Sequence, residues 1–160
     1  MKKLRTARRK PAAKRPIRKS RERKRPELPD QRPAIGLEAT VERVVELQHT
    51  IQAFSPDLPA VLSTPSMIGL MEHATVAAIY AELPPGVISV GTRIEVDHLK
   101  AVPPGATVQA SARFVKYKGR FLIFEVEARS GEHVIGRGRV FRAIVDPRKH
   151  GEKARSRTSG

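Results

Sequence analysis

Residues 63–81 read STPSMIGLMEHATVAAIYA, a nearly all-apolar run with one carboxylate, Glu72, in its middle. A carboxylate inside a hydrophobic element is costly unless it is paired or used. Burial also raises a carboxyl pKa toward the range where general acid–base chemistry works. Two other side chains offer it chemistry. Thr64 opens the same run, where a hydroxyl sits beside the free backbone N–H groups of a helix start and developing negative charge is stabilised. His98 lies near the end of the run VISVGTRIEVDHLKA, residues 87–101. Each has a purely structural explanation as well: Glu72 as a paired charge, Thr64 as a helix cap, His98 as a satisfied core histidine.

The elements that would carry them can be read from patterning. Thr64 suits the cap position and Pro65 the first helical position. The helix is expected to end near Leu83, before Pro84, Pro85 and Gly86. Being apolar on nearly every side, it is expected to be buried on every side. Glu72, eight residues after Thr64, lies about 80° around the helix and ~12 Å along it, so any shared role runs through a substrate, a water or His98. His73 projects about 100° away from Glu72 and suits a helix or subunit contact. Along 87–101, strict alternation puts Ile88, Val90, Thr92, Ile94, Val96 and His98 on the inner face, and Ser89, Gly91, Arg93, Glu95 and Asp97 on the other. Gly91, in mid-strand, marks either a bulge or the close approach of a ligand or backbone.

Five strand-like runs frame the helix: 37–47 before it, then 87–101, 106–117, 121–129 and 133–145. Turns at Lys118–Gly119 and Ser130–Gly131 read as tight hairpins. The expected fold class is therefore α+β, with a curved antiparallel sheet of about five strands wrapped around one long central helix. On the last strand, Arg137, Arg139 and Arg142 recur. They form either a solvated face or a grip on a phosphate-bearing ligand, with Arg142 on the opposite face from the other two.

Composition narrows the chemistry. The 160 residues include no cysteine, which removes disulfides, thiol nucleophiles and thiolate metal sites. His49, His133 and His150 have no ligand spacing with other metal-binding residues, so no metal site is expected. No apolar run reaches the ~18–20 residues of a membrane span, and a cytoplasmic location is expected. The net charge of +15 belongs to the ends of the chain. Residues 1–33 hold 15 Lys/Arg against three acids, and 147–160 hold five against Glu152. Residues 34–146 sum to −1. Three parts are expected: a disordered basic N-terminal tail (1–33), a folded domain (34–146) and a disordered basic C-terminal tail (147–160). The N-terminal tail is either solvated with no specific partner or a non-specific polyanion-binding arm. It has no aromatics to stack on bases, which gives no support to sequence-specific recognition.

Four segments carry a family likeness: GLEATVERVV (36–45), TPSMIGLMEHA (64–74), VGTRIEVDHLKAVPPGATV (90–108) and VIGRGRVFRAIVD (134–146). With the order strand, helix, four strands, the chain resembles hotdog-fold thioesterases, and among them the fluoroacetyl-CoA thioesterase-like group. The resemblance implies a hotdog fold and hydrolysis of a short or small acyl-CoA to the free acid and CoA. It further implies catalytic roles for Thr64, Glu72 and His98, and substrate-binding roles for Gly91 and Arg142. The CoA comes with the substrate, and no cofactor is implied. A homodimer or dimer of dimers is implied, with the active site between subunits, so that His98 and the Thr64–Glu72 helix can come from different chains. The likeness departs at 51–62, where an aromatic lid is represented only by Phe54, and this predicts a different or broader acyl group than fluoroacetyl. A non-catalytic acyl-CoA-binding module and a nucleic-acid-associated protein acting through its basic tail are the alternatives.

Overall fold

The structure is a computed structural model and describes residues 32–145 and Pro147. The two basic tails expected at 1–33 and 147–160 lie almost wholly outside the described residues. Strand β1 (Glu38–Val44) is followed by two short 3-10 turns, helix α1 (Thr64–Ile79), and strands β2 (Ile88–His98), β3 (Thr107–Lys118), β4 (Phe121–Ser130) and β5 (His133–Val145). They form one antiparallel sheet in the order β1-β3-β4-β5-β2. The segment containing α1 therefore carries the chain from one sheet edge to the other. The expected fold class is the one observed.

Local sequence explains the boundaries. The β3–β4 and β4–β5 hairpins close at Lys118↔Phe121 and Ser130↔His133. The first residue of each two-residue loop is glycine, Gly119 and Gly131, at φ 62° and 55°. No other residue of either loop has positive φ, the pattern of a type II′ turn. At the C-terminal end of α1 the α-helix stops at Ile79. One 3-10 turn, Tyr80–Glu82, then carries the chain to Leu83 and the Pro84–Pro85 break.

Inside the sheet, Met67, Leu70, Met71, Ala74, Ala78 and Ile79 of α1 are buried in one cluster with Ala110, Ala112 and Phe114 of β3 and Leu122 and Phe124 of β4. The alanines of β3 leave room for the helix to lie close. Each large side chain removed from water here is worth about 1.5–3 kcal/mol. The all-round burial expected of α1 does not hold in the single chain. Pro65, Gly69, His73, Ala77 and Tyr80 are exposed, at the three- and four-residue intervals that make one stripe.

The alternation expected along β2 holds for only half the strand. The β2–β5 register shifts between Gly91 and Arg93. A bulge inserts one residue, so every side chain before it changes face. Ser89 and Gly91 pair with Ile144 and Arg142 and turn inward, while Ile88 and Val90 turn outward and are exposed. After the bulge, Val96 and His98 face inward as expected, opposite Gly138 and Gly136.

Candidate active site

The α1 start differs from the expected one by a single residue, and the difference is chemical. The cap is Ser63, whose Oγ accepts from the Ser66 backbone N–H. Thr64 is the first helical residue, so its hydroxyl is not used in capping. That hydroxyl lies 2.9 Å from His98 Nδ1. The partnership is made within one chain, whereas the resemblance allowed the two residues to come from different subunits. Of the first three helical positions, Pro65 has no N–H and that of Ser66 is taken by the cap. Among the described residues the Thr64 N–H is the one left to face a developing negative charge, where several amides were expected.

His98 is half-buried, and its other nitrogen, Nε2, is buried with no hydrogen-bond partner among the described residues. An unpaired polar atom in such a place is unusual enough to need an explanation. Thr64 and His98 open onto a cleft of about 340 Å³ walled by Ile51, Val61, Leu62 and Leu99, with Lys100 at its lining. A larger depression, about 610 Å³, lies on the outer sheet face; Arg137 and Arg139 line it, but none of Thr64, Glu72, Gly91, His98 and Arg142 does. The smaller cleft, which holds Thr64 and His98, is therefore the candidate site.

Glu72 is not the deeply buried carboxylate its surroundings in sequence imply. Its side chain is 35% exposed, and it has a partner: Arg142 Nη1 lies 3.6 Å from Glu72 Oε1. Arg142 is the buried member, at 5% exposure. Its Nε donates to Ser89 Oγ (2.9 Å), its Nη2 to the Ser89 carbonyl (2.9 Å) and its Nη1 to Thr75 Oγ1 (3.2 Å). Desolvation lowers the Arg142 pKa from its usual value, and Glu72 opposes that shift. A guanidinium still keeps its charge at neutral pH. A Cβ on Gly91 would collide with the Glu72 carboxylate. The missing side chain of Gly91 is thus what lets the carboxylate lie over β2. The bulge and the close approach, alternatives in the sequence, occur together.

The structure therefore joins the five expected site residues into two groups: Thr64 with His98, and Glu72 with Gly91 and Arg142. No hydrogen bond joins the groups within the chain. Arg142 faces inward, away from Arg137 and Arg139. Sequence reasoning missed Ser63 as the cap, and missed Thr75 and Ser89 as the residues that hold Arg142. The one legible signal was Thr75, three residues after Glu72 and so on its side of the helix. Among the described residues no group of three or more His, Asp or Glu could hold a metal ion, and no helix is long and apolar enough to cross a membrane.

Comparison with known proteins adds to this geometry. Residues 45–148 match the family model described as FlK, fluoroacetyl-CoA-specific thioesterase. The fluoroacetyl-CoA thioesterase of Streptantibioticus cattleyicolor is 37% identical over 130 residues, 78% of this chain and 94% of that protein. A solved structure of the fluoroacetyl-CoA thioesterase FlK superposes with a TM-score of 0.72 at 36% identity, covering 77% of this chain and 96% of that one. A Thermus thermophilus hypothetical protein, described as a thioesterase superfamily member, superposes at 0.74 with 28% identity, covering 81% and 96%.

Proposed function

The chain belongs to the fluoroacetyl-CoA-specific thioesterase family and is a thioester hydrolase; from that premise we propose that it hydrolyses a small acyl-CoA to the free acid and CoA, with Thr64, Glu72 and His98 as catalytic residues. The observation that carries this reading is the Thr64–His98 hydrogen bond at the wall of the cleft.

In the proposed scheme the Thr64 hydroxyl attacks the thioester carbonyl and His98 Nδ1 takes its proton. The Thr64 N–H, at the positive end of α1, stabilises the oxyanion. The C–S bond breaks, His98 returns the proton to the leaving CoA thiolate, and the acyl group stays on Thr64 as an ester. Water then attacks that ester, its proton passing to a base, and the acid leaves with the Thr64 oxygen reprotonated. Glu72 is the base for this second step. Gly91 and Arg142 line the acyl end of the site: Gly91 leaves space there, and Arg142 fixes the direction of Glu72.

Within one chain Glu72 stands two helical turns from Thr64. We propose a homodimer in which a second copy brings its own Glu72 group to the Thr64–His98 cleft. The uncovered apolar side chains of edge strand β2 (Ile88, Val90 and Ile94) and the exposed stripe of α1 support this pairing. We further propose a cytoplasmic enzyme whose residues 1–33 bind polyanions without sequence preference, supported by their charge. In the stretch 51–62, Phe54 and Leu58 are the exposed large apolar side chains. A single aromatic there supports an acyl range broader than fluoroacetyl.

The test is a hydrolysis screen over acetyl-, fluoroacetyl-, propionyl- and longer acyl-CoAs, read as release of free CoA thiol. Turnover of the small members, slowed strongly in Thr64→Ala and His98→Ala, is the expected result. Unchanged rates in both variants would sink the mechanism. Tight acyl-CoA binding without turnover would sink the activity.

A further inference from the structure

The outer face of the sheet changes character from its middle to one end. In the middle, the cross-strand row Glu38–Arg113–Glu125–Arg139–Glu95 alternates in charge across all five strands. Opposite charges set directly across a ladder stabilise its register, and this row has no excess of positive charge. Toward the β3–β4 turn the next rows are Lys116–Ile123–Phe141–Arg93 and Lys118–Phe121–Ala143–Val90. Here Arg93, Lys116, Lys118 and Arg120 are exposed around two half-buried rings, Phe121 and Phe141. Arg120 lies over the Phe121 ring at 5.1 Å, and Arg93 over the Phe141 ring at 5.3 Å. Arg93 also pairs with Glu95. Among the described residues, Lys116, Lys118 and Arg120 are in no ion pair.

Both ends of the described chain meet the same end of the sheet. The Tyr117 hydroxyl donates to the Pro33 carbonyl (2.7 Å), Arg32 lies over the Tyr117 ring, and Val145 ends β5 two residues beyond the partner of Phe121. Burial raises the Tyr117 pKa, Arg32 opposing, so the phenol stays a neutral donor. The row Lys118–Phe121–Ala143 spans three strands, about 10 Å. The sequence continuing from these two points, residues 1–31 and 146–160, holds 19 Lys/Arg and five Asp/Glu.

We infer that this end of the outer sheet face is a binding surface for single-stranded nucleic acid. The inference rests on the reading that the N-terminal segment takes polyanions, and it deepens that reading by supplying what the segment lacks. The segment has charge but no aromatic side chain; the sheet provides two rings. Phosphates go to Lys116 and Lys118. Each arginine over a ring can turn to a phosphate and leave the ring face to a base, the combination used by sequence-tolerant single-strand sites. The surface lies on the face opposite α1, with no residue in common with the Thr64–His98 cleft.

The experiment measures binding of the full chain to fluorescein-labelled oligouridine by anisotropy, with heparin, phosphatidylserine vesicles and free CoA as competitors. Lys118→Glu/Arg120→Glu is expected to weaken oligouridine binding at least about tenfold and to flatten its salt dependence. Phe121→Leu, which keeps apolar bulk but removes the ring, is expected to weaken oligouridine about fivefold or more while heparin binding is unchanged. Acyl-CoA hydrolysis, retained in both variants, shows that they are folded. If removing residues 1–31 abolishes binding while the sheet variants bind like the parent, the surface is wrong and the polyanion reading of the segment stands. If the full chain does not bind oligouridine even at low salt, both fall. Equal loss of heparin and oligouridine in Phe121→Leu overturns the stacking role. Displacement by vesicles in preference to nucleic acid, or by free CoA at substrate concentrations, overturns the assignment of the partner.

Discussion

The two polar groups along α1 are built in opposite ways. At its start, Thr64 and His98 share one hydrogen bond, line an open cleft and leave His98 Nε2 without a partner among the described residues. Two turns on, Arg142 is buried, its three nitrogens all engaged by Ser89, Thr75 and Glu72. The first group has unused capacity at groups able to move protons. The second uses its capacity to hold one carboxylate over a glycine. An uncommitted pair is suited to perform the chemistry. In the committed network Arg142 fixes the direction of the Glu72 charge without itself reacting, and the network should matter more to folding. The difference separates two kinds of variant: those that cost activity without stability, and those that cost both.

The largest effect should come from the uncommitted pair. Thr64→Ala or His98→Ala is expected to lower kcat for acyl-CoA hydrolysis by about 100-fold or more. Thr64→Ala should leave the thermal midpoint within a degree or two, because Ser63 is the cap and Thr64 is exposed. A large drop in stability in Thr64→Ala would break the comparison. Glu72→Gln should lower kcat by roughly tenfold to 100-fold, which steady-state assays of CoA release would measure. It should also lower the thermal midpoint, since a buried guanidinium loses its counter-charge. Arg142→Lys should fail to rescue either property in Arg142→Ala, because an ammonium cannot reproduce the fork to Ser89 and Thr75. Gly91→Ala should be milder. Its Cβ displaces the Glu72 carboxylate, so kcat should fall several-fold with little change in urea midpoint. The smallest effect belongs to Ser63→Ala, about 1 kcal/mol in urea unfolding.

These contrasts also mark what could be seen in the sequence. The order of elements, both hairpins and the helix end were legible because glycine and proline punctuate them with local geometry. The inward turn of His98 and the placement of Arg142 opposite Arg137 and Arg139 followed from alternation. Alternation failed at Ile88–Gly91 because a bulge resets parity, and the single sign of it, Gly91, has two physical readings. The helix cap was misplaced by one residue because Ser63 and Thr64 both suit that position and Pro65 is accepted at either of the first two helical places. Of the network around Arg142 only the Glu72–Thr75 spacing was legible: Ser89 and Thr75 are 53 and 67 residues away from Arg142 in the chain. Nothing local connects them; the β2–β5 register and the packing of α1 do.

The claim at the centre of this account is that Thr64 and His98 act as one unit in thioester hydrolysis. Its most direct test is CoA release from a small acyl-CoA by the parent chain, Thr64→Ala, His98→Ala and the double variant, measured side by side. Groups that act together are strongly non-additive. The expected result is a double variant about as slow as the slower single variant. A double variant slowed by the product of the two single effects would show that the residues contribute independently, and would contradict the claim.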